Sequence, residues 1–87
     1  MERQLWCAVI QTAWDDYFAP ILTHDWLQEL REQMIAKREA WLFLTKTVGE
    51  WAESREDVCN AAGIDPDALR ERFLAENARV LRLAQAA

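Results

Sequence analysis

Four consecutive residues, Gly63-Ile64-Asp65-Pro66, constrain this chain more than any others. A glycine just past a helical run supplies the left-handed residue that closes a helix. An Asp–Pro pair does the reverse. Aspartate accepts a hydrogen bond from the first free N–H groups, and proline fits the first helical position, where a missing N–H costs nothing. Upstream, Ser54 is placed to cap a short helix, with Asp57 three residues on completing something close to a capping box. Val58, Cys59 and Ala62 form the apolar face of that helix, and Ile64 is expected in the angle between the two helices. The stretch 54–73 therefore has a helix-turn-helix-like outline: a small residue at Cys59, a turn glycine, an apolar Ile64, and Leu69 packing back from the second helix.

The rest of the chain also has helical periodicity. Glu2 to Phe18 places Trp6, Val9, Ile10, Ala13, Trp14 and Tyr17 on one face, and Pro20 ends the run. Asp15 and Asp16 lie where the helix dipole disfavours acids, which predicts a frayed or partner-supported end. Thr23 is a good N-cap, with Asp25 in the first turn of a long helix to about Thr45, or of two helices bent near Lys37–Glu39. Leu27, Leu30, Met34, Trp41, Leu44 and Val48 approach a heptad seam that Lys37 interrupts. Trp41-Leu42-Phe43-Leu44 is apolar on every side, as in a buried or interface segment. Lys46 to Glu53 reads as a connector, with Gly49 ending the long helix and Trp51 anchoring the loop. The last helix is predicted to run to about Ala84, burying Leu69, Phe73, Val80 and Leu83. Alternating strand patterns are absent. The expected fold is all-α: a compact bundle of four or five helices forming one domain over residues 1–87.

Composition bears on partners. The chain has ten Lys+Arg against fifteen Asp+Glu, a net charge of −5, which opposes nonspecific attraction to phosphate backbones and anionic lipid. Five Trp in 87 residues is heavy use; core packing accounts for such rings, and interface anchors are the alternative reading. The opening MERQLWCAVIQ lacks the basic-then-apolar pattern of a secretion signal, and no apolar run nears the ~20 residues that span a bilayer. A cytoplasmic protein with Cys7 and Cys59 as buried free thiols is the expectation.

Candidate chemistry is sparse. A single His24 beside Asp25, with two distant cysteines, makes a poor metal set. Asp15 and Asp16 are adjacent in a helix and point in different directions, so they do not share a proton or an ion. Neither a nucleophile–base set nor a phosphate-cradling glycine loop is present, so no catalytic residue, cofactor or metal site is predicted. The predicted protein-binding residues are Asp65, Asp67 and Glu71 at the corner, with Trp14 and Trp26 as anchors. Were the corner to read DNA, Arg55, Arg70, Arg72 and Arg79 would carry the contacts. Asp67 would then face phosphate with the wrong sign.

Trp41-Leu42-Phe43, Val58-Cys59, Ala62-Gly63-Ile64-Asp65-Pro66 and Leu69-Arg70 together resemble a type of small helical protein found in bacteriophage and prophage genomes and related gene-transfer elements. The resemblance covers roughly the C-terminal third and leaves residues 1–40 outside it. It implies an origin more than an activity, and it brings no catalytic residues. The leading expectation is an acidic phage-type accessory protein that binds a host protein or complex in transcription or defence. The alternatives are a helix-turn-helix DNA-binding regulator and a homo-oligomer assembled through the Trp41–Leu44 block.

Overall fold

The computed structural model describes residues 2–21 and 27–86. Most of them lie in four helices: α1 (Glu2–Phe18), α2 (Leu27–Thr45), α3 (Glu50–Ala62) and α4 (Pro66–Ala86). No strand occurs among the described residues, and the fold is an all-α bundle. Helix α1 packs chiefly against α2 and α3, while α4 lies against α2 and α3. Helix α2 runs unbroken through Lys37–Glu39. The predicted cap Thr23, with His24, Asp25 and Trp26, lies outside the described residues.

The corner between α3 and α4 forms as its local chemistry dictates. Gly63 adopts φ 74°, ψ 30°; its N–H donates to the Asn60 carbonyl at 3.3 Å, and the Ile64 N–H donates to the Cys59 carbonyl at 2.9 Å. These two bonds are the paired closure of a Schellman motif. Asp65 Oδ1 accepts from the Asp67 N–H at 3.0 Å, and α4 starts at Pro66. Gly63→Ala is expected to cost about 1–2 kcal/mol, because a Cβ is strained at that φ. The Arg3 guanidinium that a new Cβ would meet sits on a flexible side chain and can swing away. A urea midpoint matching wild type would refute this strain.

The start of α3 departs from the sequence expectation. The helix begins at Glu50 rather than at Ser54, which lies inside it, so the connector shrinks to Lys46–Gly49. Gly49 is the N-cap of α3, at φ 89° and ψ −170°, and not a closing residue of α2. A glycine with positive φ serves at either end of a helix. Here Glu50 and Glu53 in the first turn complement the dipole and draw the start upstream. Trp51 consequently sits on α3, 37% exposed.

Cations close the helix ends. Lys37 Nζ donates to the carbonyls of Asp16 at 3.3 Å, Tyr17 at 2.9 Å and Ala19. The acid-rich end of α1 is thus held by α2 of the same chain. At the end of α2, Arg55 Nη1 donates to the Phe43 carbonyl at 3.0 Å and Arg70 Nε to the Thr45 carbonyl at 2.8 Å. Free carbonyls and a partial negative charge at helix C-termini favour cations there.

The core comprises Ile10, Phe43, Leu44, Val58, Cys59, Ala62, Leu69 and Phe73, with Trp6, Trp14, Tyr17 and Phe18 packed against it. Phe73 is 0% exposed, with ring centroids of Tyr17, Phe18, Trp14 and Trp41 at 4.9, 5.6, 5.7 and 5.8 Å. Tyr17 also ties α1 to α4, its hydroxyl donating to Asn77 Oδ1 at 2.9 Å. The radius of gyration, 14.2 Å, exceeds the about 12 Å of a compact chain this long. Part of the excess lies in α4, which reaches Ala86 rather than Ala84 and carries Val80, Leu81 and Leu83 past the neighbouring helices into solvent. The predicted burial of Val80 and Leu83 therefore fails: the face is periodic, but Val80 is 38% and Leu83 58% exposed.

Candidate functional site

The structure places the acidic residues of the corner together at one helix end. Asp65, Asp67 and Glu71 share the start of α4, and Asp67 and Glu71 are exposed. Asp65 is engaged as the cap of α4, and Asp67 and Glu71 are two solvent-exposed carboxylates one turn apart. Trp14 does not join them. It is half-buried, packed edge-on against Phe73 and tilted against Phe18. The Trp41–Leu44 block is likewise largely internal: Phe43 and Leu44 are buried, and Trp41 rests on Tyr17 and Phe73 with one edge exposed.

The four arginines singled out for DNA do not converge on one outward stripe. Arg55 is only 4% exposed, and Arg55 and Arg70 both bind the carbonyl end of α2. Arg79 pairs with Glu76 at 2.5 Å, the one ion pair among the described residues. That hydrogen bond holds the Glu76 carboxyl below its usual range. Arg72 is exposed at the edge of a recess of about 250 Å³ that Ile10, Gln11, Trp14 and Leu69 also line. Burial, followed by the neighbouring Arg70 charge, lowers the Arg55 pKa below the ordinary value. Its Nε is buried without a hydrogen-bond partner. Arg55 is thus a cation enclosed by the fold and directed at its own backbone.

The cysteines differ from each other, and Cys7 departs from the expectation of burial. Cys7 is exposed on α1, whereas Cys59 is buried, and burial pushes its thiol above the ordinary value. A thiol reagent should therefore label one cysteine in the native protein and two after denaturation. Rapid modification of both in the native state would contradict the packing of α3.

Sequence reasoning missed a surface on α2. Leu27, Met34 and Ile35 are 73, 57 and 52% exposed, and with Leu30, Arg31 and Arg38 they line a groove of about 530 Å³. The heptad-like pattern places Leu27 and Met34 in the seam. Helix α2 instead turns Ala40, Phe43 and Leu44 inward and leaves one face of its N-terminal half, with Leu27, Met34 and Ile35, exposed to solvent. The usable signal was Ile35 next to Met34, which widens the apolar stripe beyond what one seam buries.

Among the described residues, no group of three or more His, Cys, Asp and Glu side chains could hold a metal ion, and no helix is long and apolar enough to cross a membrane. No protein-family model, curated protein or solved structure matches the chain.

Proposed function

We propose that this chain is a small, non-catalytic accessory protein of bacteriophage type that binds and modulates a host protein or complex of the transcription or defence machinery. The observation that carries the binding function is the solvent-facing apolar surface on α2: Leu27, Met34 and Ile35 exposed together on one helix. Contiguous apolar surface of this kind on a small domain marks interaction sites. The exposed carboxylates Asp67 and Glu71 supply a second, polar contact region. The phage and host assignment rests on the resemblance of the C-terminal third.

A DNA-binding role is the second reading, supported by the α3–Gly63–α4 corner and by exposed Arg72. The commitment of Arg55 and Arg70 to the α2 carbonyls weighs against it. Affinity capture from bacterial lysate separates the readings. The proposal expects a stoichiometric protein partner and no mobility shift of a mixed DNA pool at about 50 mM salt, where electrostatic DNA binding is strong. A DNA shift without a captured protein would overturn it.

A further inference from the structure

Resting on the protein-binding reading, we infer that the N-terminal half of α2 is a docking face for an acidic amphipathic helix. Leu27, Arg31, Met34 and Arg38 follow one another at spacings of four, three and four residues, so they form one row along the helix. Leu30 and Ile35 flank that row, and the six residues line a single groove. Arg31 and Arg38 therefore sit about 10 Å apart along the axis, interleaved with apolar side chains. Both are exposed, and neither takes part in the one ion pair among the described residues.

The charge pattern selects the occupant. The chain carries five more acidic than basic residues, and four of its ten Lys and Arg are committed to the fold: Lys37, Arg55 and Arg70 to helix ends and Arg79 to Glu76. Among the described residues, this groove instead has two free arginines and no carboxylate in its lining. A second copy of the chain on the same face would bring four arginines, and no carboxylate from the described lining, into one symmetric interface, because a two-fold contact matches a patch with itself. An anionic lipid surface is wider than the groove and would meet Glu29, Glu32 and Glu39 and the net negative charge of the chain, whereas a single helix seated in the groove places its carboxylates at Arg31 and Arg38 alone. A helix with its own apolar stripe and two carboxylates one heptad apart satisfies both parts of the face. The aliphatic stripe fills the groove, and the carboxylates pair with Arg31 and Arg38.

The test uses the full chain and synthetic amphipathic helical peptides of about six turns. One carries a Leu stripe flanked by Glu at heptad spacing, and the other carries Lys at the same positions. Titration calorimetry at low salt should show binding of the Glu peptide at least tenfold tighter than the Lys peptide, weakening as salt rises. Arg31→Glu with Arg38→Glu should reverse the preference. Met34→Ser with Ile35→Ser should weaken both peptides, with unchanged helicity because both positions are exposed. Equal binding of the two peptides, or binding of neither, overturns the inference. So does light scattering that finds a dimer abolished by the Met34 and Ile35 changes, or uptake by phosphatidylserine vesicles in place of peptide binding. A lysate partner retained by the Arg31 and Arg38 double variant would overturn the docking face alone and leave the protein-binding function standing. Capture of no partner would remove that function itself.

Discussion

Replacing Phe73 with alanine should destabilise the protein by about 3–5 kcal/mol, the largest effect expected of any single substitution described for this chain. Phe73 has no exposed surface and lies at the meeting point of four other rings: Trp14 and Phe18 from α1, Tyr17 beside them, and Trp41 from α2. Truncation removes the buried ring and leaves a cavity walled by stiff aromatics, which close in poorly. It also weakens the packing of α4 on α1, to which the Tyr17–Asn77 hydrogen bond also contributes. Against a total stability of about 5–15 kcal/mol this is a large fraction. At roughly 4–8 °C per kcal/mol for a domain this size, the melting point should fall by more than about 10 °C. Leu83→Ala, on the exposed far end of α4, should stay within about 0.5 kcal/mol. Thermal circular dichroism on the two variants checks both. A Phe73→Ala melt within a few degrees of wild type would show that the ring cluster is not the keystone between α1, α2 and α4.

Arg55→Ala should rank next, at about 2–4 kcal/mol, from an orphaned Phe43 carbonyl and a cavity beneath α3. Arg55→Met should cost less than half as much. The methionine stem keeps most of the packing and removes a cation that is 4% exposed, has an unpartnered Nε and lies beside Arg70. The two substitutions therefore separate shape from charge at one position. Similar losses in urea unfolding would mean that the charge on the α2 carbonyl end, rather than the filled volume, stabilises this joint. That outcome would also raise the weight of Arg70, whose bond to the Thr45 carbonyl would then be the second half of one electrostatic clamp.

The contrast between Arg55 and Asp65 shows what the sequence could disclose. Gly63, Asp65 and Pro66 act on groups within a few residues of themselves, so their roles follow from local rules, and the observed bonds match those rules. Helix α1 was legible to both ends for the same reason. Arg55, Arg70 and Lys37 act on carbonyls far along the chain. Nothing in their neighbourhoods distinguishes them from solvated cations, so two of them looked available for DNA and the third looked like a flaw in a seam. Gly49 was ambiguous in a different way: positive φ serves an N-cap and a C-cap alike, and the acids that decide the matter, Glu50 and Glu53, lie on the far side. Periodicity found the faces of α2 and α4 but not the extent of their coverage. Leu69 and Phe73 meet partners while Val80 and Leu83, on the same helix, extend past them. The exposed groove on α2 was hidden by the same limit. An apolar stripe reads identically whether a neighbour of the same chain or of another chain covers it.

Photo-crosslinking in bacterial cells tests the functional account most directly. A benzophenone side chain placed at Met34 in one variant and at Arg72 in another reports what each face touches; both positions are exposed, so folding should be preserved. The account predicts a discrete protein adduct from position 34 and no nucleic-acid adduct from position 72. Nucleic-acid adducts from position 72, with position 34 silent, would contradict it.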